Sequence, residues 1–166
     1  MGNFAFIFLF GLAVFLILFS GCIQPRQDCT TYKSSMDKEY CYIRQATNSY
    51  IIAGTPAEEQ AALQICETDT HAFKDDCYHA IVVAGANKEV YKNANNPTNP
   101  IALYPLIFIC RDHIGNTNDK NQCFTELAEI THREEPCAYI EESSILTFFK
   151  IENTMDMCLA KARSGY

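Results

Sequence analysis

Nine cysteines are the residues in this chain best placed to do chemistry, and their spacing narrows what that chemistry is. A zinc site would call for closely spaced pairs such as C-x2-C with H-x3-H, and neither occurs. The four histidines, His71, His79, His113 and His132, are scattered, and the absence of C-x-x-C removes the usual thiol-redox motif. Disulfide formation is the remaining use. An odd count leaves one thiol over in an oxidising compartment. Cys22 stands directly behind an apolar leader. The remaining eight, Cys29, Cys41, Cys66, Cys77, Cys110, Cys123, Cys137 and Cys158, spread along the rest of the chain.

From Phe4 to Phe19 the chain reads FAFIFLFGLAVFLILF with no polar side chain, and no charged side chain appears before Arg26. That is the chemistry of export or anchoring. The leader, followed by Ser20, Gly21 and Cys22, resembles a bacterial or archaeal lipoprotein signal, in which cleavage before the cysteine precedes its lipidation. Two departures stand against that pattern. Phe19 occupies the position where leucine is usual, and the leader carries no Lys or Arg. An uncleaved anchor therefore remains a second reading, because Met1 to Ile23 is long enough to cross a hydrocarbon core of about 30 Å. A cleaved soluble secretory signal is the third. On each of them the rest of the chain lies outside the cytoplasm. On the first two it is held at the extracytoplasmic face of the cell membrane.

With Cys22 assigned to lipid, eight cysteines remain, and eight can pair in on the order of 100 ways. Taken in order, the pairs are 12, 11, 13 and 21 positions apart, a more regular set than the one shifted by a cysteine. Local helix signals agree with the consecutive set. Thr55-Pro56-Ala57-Glu58 reads as a helix start with Thr as cap, Pro in the first turn and Glu completing a capping box. Ala62, Ile65 and Cys66 then share a face. Thr68-Asp69-Thr70 breaks the pattern, and Asp75 and Asp76 favour the first turn of a second helix carrying Cys77, Ile81 and Ala84 inward. That helix is expected to end at Gly85. Cys66 and Cys77 would face one another across the hairpin.

Leu106 to His113 leads into Gly115-Asn116-Thr117-Asn118, after which Asp119 is expected to cap a helix from Lys120 to about His132. Its inward face would be Cys123, Leu127 and Ile130, with Glu126, Glu129 and Arg133 outside. Such a helix, rising about 1.5 Å per residue, carries Cys123 away from Cys137 and disfavours that pairing.

The second cysteines, Cys41, Cys77, Cys123 and Cys158, recur at roughly 35–45-residue intervals, in the range of helical repeats. Tyr42, Tyr78 and Phe124 follow three of them directly, and Ala46, Val82 and Ala128 lie five positions beyond. Glu39, Asp75, Asp76, Asp119 and Asp156 stand shortly before them. The pattern, near C-x(10–12)-C-[YF]-x3-A, resembles the tandem Cys-paired helical repeats of uncharacterised exported archaeal lipoproteins. The resemblance spans roughly Cys29 to Gly165 and implies an architecture but no known activity.

The expected fold is all-α: disulfide-stapled helical hairpins stacked as a short solenoid-like array, preceded by a hydrophobic N-terminal helix. Residues 1–21 would be signal peptide or anchor, 22–28 a tether and 29–166 the Cys-rich domain. With 48% hydrophobic and 20% charged residues, the chain can bury a core. Its net charge of -7 argues against nucleic acid, because no cluster of Lys and Arg is present to neutralise phosphates.

Enzyme chemistry has little to stand on. His79 lies near Asp75 and Asp76, and His113 beside Asp112, but no nucleophile sits in a recognisable context. No cofactor is implied. Glu134, Glu135, Glu141 and Glu142 lack EF-hand spacing and read as a solvated face rather than a Ca²⁺ site. NANNPTNP, Asn93 to Pro100, reads as a connector. The apolar IALYPLIFI, Ile101 to Ile109, reads as core, and Tyr32, Tyr40, Tyr42, Tyr50 and Tyr91 as half-buried hairpin residues. The leading expectation is a membrane-tethered binding or scaffold protein whose ligand is a protein, a peptide or a cell-wall polymer. A structural envelope component without a specific ligand is the alternative, and an envelope hydrolase a more distant one.

Overall fold

A computed structural model of the protein describes residues 28–96, 101–141 and 154–164. The apolar leader, Cys22, the tether as far as Gln27, the connector's second half (97–100) and Glu142 lie outside the described residues. Within them the chain is all-helical, with no strand.

Local chemistry sets where each helix begins. Asp28 opens a 3-10 turn, Cys29–Thr31, by accepting from the Thr30 N–H, and the Thr30 hydroxyl and N–H hold its carboxyl below its usual range. Helix α1, Ser35–Ile52, is capped by the Ser34 hydroxyl. Helix α2, Pro56–Asp69, carries the full capping box. The Glu58 N–H donates to Thr55 Oγ1 at 3.3 Å, while Glu58 Oε2 accepts from the N–H groups of Thr55 at 3.0 Å and Gly54 at 2.8 Å. These bonds satisfy donors that a helix start otherwise leaves open. Helix α3, Lys74–Asn95, has Asp75 and Asp76 in its first turn, and α4 is Leu103–His113. Helix α5, Thr117–Thr131, ends on His132 in the left-handed conformation, φ 52°. A second 3-10 turn, Glu135–Tyr139, precedes α6, Met155–Arg163, which Thr154 caps.

Three local expectations need correction. Helix α3 does not stop at Gly85 but continues to Asn95. Glycine is there for space rather than for termination: a Cβ at Gly85 would lie 2.7 Å from Leu106 Cδ2 and 2.9 Å from Tyr50 Cε1. The cap of α5 is Asn116, whose side chain accepts from the N–H groups of Asn118 and Asp119, so that Asp119 falls inside the first turn. Only the middle two units are pairs of α-helices. In the first and last described units the arm opposite the helix is a 3-10 turn, at Cys29–Thr31 and at Glu135–Tyr139.

Disulfides join Cys29 to Cys41, Cys66 to Cys77, Cys110 to Cys123 and Cys137 to Cys158, with Cα separations of 5.6–5.8 Å. Each links one arm of a unit to its helix, and all eight cysteines are buried. Helix α1 packs on α2 and α3, α3 on α4 and α5, and α5 on α6 and the second 3-10 turn. Among the described residues α1 does not touch α5, and α3 does not touch α6. The core runs along this row through Tyr78, Ile81, Val82, Leu106, Phe124 and Leu127, each at most 2% exposed. Ala46, Val82 and Ala128 are all fully buried, as are the rings of Tyr78 and Phe124.

Between consecutive units the helices are also tied through their backbones. Glu39 Oε2 accepts from Ala72 N at 2.9 Å and Phe73 N at 3.1 Å, just where the chain enters α3. Asp75 Oδ2 does the same for Gly115 and Asn116 at the entry to α5, both at 3.1 Å. Asn121 makes a two-way bond to the backbone of Glu141, donating to its carbonyl and accepting from its N–H. Carboxylates suit helix entries because the unpaired N–H groups there carry partial positive charge.

Candidate functional site

The last turn of α1 meets α2, α3 and the start of α4 around a cavity of about 40 Å³. Tyr50 enters from α1 and Glu59 from α2. Gly85, Lys88 and Glu89 form the α3 wall, and Ala102, Pro105 and Leu106 close it from α4. The absence of a side chain at Gly85 is what lets Leu106 and the Tyr50 ring approach here.

Two of the charged groups are already engaged. Lys88 Nζ donates to the carbonyls of Ala53 at 2.8 Å and Tyr50 at 3.2 Å, neutralising the exposed acceptors at the C-terminal end of α1. Glu89 pairs with Lys92 at 2.7 Å and accepts from the Ala102 N–H at 3.3 Å, which ties α3 to the start of α4. Tyr50 is different. Its side chain is 5% exposed, and its hydroxyl has no hydrogen bond among the described residues. Burial raises the phenol well above its usual value, and the nearby charges of Glu59 and Glu89 raise it further. Tyr50 is therefore a neutral donor. The half-buried Glu59 has no ion pair among the described residues.

A second polar cluster joins α2, α3 and α4. The Tyr78 hydroxyl donates to Glu67 Oε2 at 2.8 Å, and Lys74 Nζ lies 2.7 Å from the same oxygen. Lys74 and then Tyr78 hold the Glu67 carboxyl below its usual range, while burial first and Glu67 second push the Tyr78 phenol up. His113 lies against the Tyr78 ring at 4.7 Å. The Glu67 carboxylate thus takes both the Tyr78 hydroxyl and the Lys74 ammonium, which ties α2 to α3.

The residues that invited catalytic readings are dispersed. Asp75 is turned to the backbone of Gly115, whereas His79 faces α5, with Nε2 3.0 Å from Glu126 Oε2. That nitrogen is occluded, and the contact is close in distance but too poorly aligned to be a hydrogen bond. Asp112 pairs with Arg111 through two bonds of 2.7 and 2.8 Å rather than with His113. Glu134, Glu135 and Glu141 pair with Arg163, Arg133 and Lys120 respectively. Among the described residues no group of three or more His, Cys, Asp or Glu side chains is placed to hold a metal ion.

Of the tyrosines, Tyr50 is buried, Tyr32 and Tyr42 are half-buried, and Tyr40 and Tyr91 are exposed on different helices. The apolar stretch after the connector buries Leu103, Leu106, Ile107 and Ile109 but exposes Tyr104 by 69% and Phe108 by 47% on one face of α4. The Arg111 guanidinium lies 4.5 Å over the Phe108 ring. No described helix is long and apolar enough to cross a membrane. No protein-family model, curated protein or solved structure matches this chain. The class that fold and covalent geometry define is thus an all-helical domain stapled by four disulfides.

Proposed function

We propose that this protein is a membrane-tethered, extracytoplasmic binding or scaffold module, built as a short solenoid-like array of disulfide-stapled units. The observation that carries the reading is the order of packing. The helices bearing the second cysteine of each pair, α1, α3, α5 and α6, each pack on the next in chain order, while α1 and α5 make no contact. Contacts limited to neighbours are the organisation of repeat arrays, which commonly present extended surfaces to partners. The spaced motif of cysteine, aromatic and small residue supports the same reading, since its members in the middle units are buried. Four disulfides favour an oxidising compartment, and the apolar leader ending at Cys22 supplies the tether, as a lipidated cysteine or as an uncleaved anchor.

The test is in-cell crosslinking of the membrane fraction followed by affinity capture, with a variant lacking the eight paired cysteines as the unfolded control. A partner recovered above that control supports the reading. Recovery of the full chain in the soluble cytosolic fraction with free thiols would sink it. Mass spectrometry without reduction separates the two tethers by the presence of lipid on Cys22 or of an intact Met1.

A further inference from the structure

The side chains that tie one unit to the next recur at one place, two positions before the second cysteine of each pair. Glu39 takes the backbone N–H groups of Ala72 and Phe73, and Asp75 those of Gly115 and Asn116. In both cases the second donor is the N-cap residue of the receiving helix, Phe73 for α3 and Asn116 for α5. Asn121, at the same place before Cys123, bonds the backbone of Glu141. The fourth residue of the set is Asp156, two before Cys158, and it has no following unit to hold. Like Asp75 it is the second residue of its helix. Yet it makes no hydrogen bond or ion pair among the described residues, and it is exposed where Glu39 and Asp75 are half-buried.

The other end of the row offers the matching half. Helix α1 is entered through Lys33 and its N-cap Ser34, both exposed, and their N–H groups have no acceptor among the described residues. Open N–H groups at a helix start attract a carboxylate, and the Lys33 ammonium adds charge of the same sign. Asp37 in the first turn of α1 does not exclude an acid from outside. Helix α3 carries Asp75 and Asp76 in its own first turn and still receives Glu39, and α5 carries Asp119 and receives Asp75. Apolar surface is exposed beside both halves: Met155 and Met157 flank Asp156, and Met36 lies in the first turn of α1. Met157 follows Asp156 as Tyr40 follows Glu39, and the Tyr40 ring stacks on Phe73 beside the clamp. The two halves do not meet within one chain, because α1 and α6 make no contact among the described residues. We infer that a second copy of this chain supplies the missing half: Asp156 of one copy accepts from the Lys33 and Ser34 N–H groups of the next, repeating between copies the contact made twice between units. Such a head-to-tail interface leaves a free half at each end and so propagates. It rests on the array reading above and goes beyond it by naming the chain itself as a partner.

The experiment follows the oxidised full chain in detergent micelles by sedimentation over a concentration series. The chain is expected to self-associate, and Asp156→Lys and Lys33→Asp should each weaken that association about tenfold, because each sets like charges against one another. An equimolar mixture of the two variants should associate as the wild type does, since every contact between unlike copies again pairs a lysine with an aspartate. Both positions are exposed, and an unchanged melting temperature shows that each variant is folded. Carbodiimide crosslinking of isotope-labelled with unlabelled copies should join Lys33 of one to Asp156 of the other. Association that neither variant weakens assigns self-association to the leader or to another face and overturns the proposal, as does a mixture no stronger than its components. A chain that stays monomeric over the series yet captures a foreign partner in cells overturns the head-to-tail contact and keeps the binding role. Crosslinks between Lys33 and Asp156 in a chain recovered from the soluble cytosolic fraction do the reverse.

Discussion

The Glu39 carboxylate accepts a hydrogen bond of 3.1 Å from the backbone N–H of Phe73, 34 residues further along the chain. Asp75 stands in the same relation to Asn116, 41 residues on. Each carboxylate lies two positions before a disulfide-bonded cysteine, Cys41 and Cys77, so the staple that closes one unit also fixes the group that aligns the entry of the next. Replacing either acid with alanine removes two charge-assisted bonds at a partly solvated site, and a loss of about 1 kcal/mol is expected for each. Urea unfolding measures that loss. Hydrogen exchange locates it: in Glu39→Ala the amides of Ala72 and Phe73 should lose protection while those of Gly115 and Asn116 keep theirs. Uniform loss across both sites would rule out a local clamp.

How much of this was legible in the sequence depends on how local the cause is. The capping box at Thr55 and Glu58 needs only neighbouring residues, and it is present as read. The acids before the second cysteines were visible as a recurring feature, yet their role depends on a backbone tens of residues away and could not be read. Gly85 misled because glycine ends helices and also admits close packing. Only the approach of Leu106 and Tyr50 decides between the two. The first unit was read as a hairpin from its cysteine spacing, although few residues lie between Cys29 and the start of α1 and they form a 3-10 turn. The Tyr50 cavity draws its walls from four separate helices, so nothing in the sequence pointed to it.

Gly85→Ala should destabilise the protein even though alanine is the better helix former. The helix gains about 1 kcal/mol from the change, while overpacking a filled core costs about 1–3 kcal/mol. Here the new methyl meets Leu106 Cδ2 at 2.7 Å and the stiff Tyr50 ring at 2.9 Å, both buried. A net loss of about 1 kcal/mol is expected, and in a Leu106→Ala background, itself about 2–5 kcal/mol less stable, the same change should cost less or become stabilising, because the space the methyl needs has been vacated. Thermal unfolding of the single and double variants decides it. A stabilised Gly85→Ala would mean that the contact is not as tight as described.

Removing a staple should cost more. Replacing Cys66 and Cys77 together with serine reopens a loop of 11 residues in the unfolded chain, and the expected loss is about 2–4 kcal/mol. The Cys137 to Cys158 bond closes a longer loop, of 21, and in the chain-entropy account its removal costs about 0.5 kcal/mol more. Denaturant midpoints of the two paired variants, measured without reductant, compare them. A smaller loss at Cys137 and Cys158 would show that native contacts, not loop closure, govern the difference.

Stability should form a plateau in pH bounded by two different sets of groups. On the acid side, the Gly54 N–H and the Thr55 hydroxyl and N–H hold Glu58 below its usual range, Lys74 does so for Glu67, Arg111 for Asp112 and Arg163 for Glu134. A carboxyl whose value is depressed by folding contributes stability above its unfolded value, near 4, and that contribution fades as pH falls through the lower folded value. On the alkaline side, burial raises Tyr50 and Tyr78, so their contribution is complete below about 10 and is lost as pH climbs toward their folded values. Melting temperatures should therefore fall below about pH 4 and above about pH 10. Lysine deprotonation also weakens the protein above pH 10, which makes a comparison with Tyr78→Phe the sharper measurement. That variant lacks the hydroxyl bonded to Glu67 and should melt below the wild type at pH 8, but the gap should narrow as pH passes 10, because only the wild type has a second phenol to keep neutral. A gap that stays constant from pH 8 to pH 11 would place the Tyr78 hydroxyl in water instead of in the polar cluster between α2 and α4.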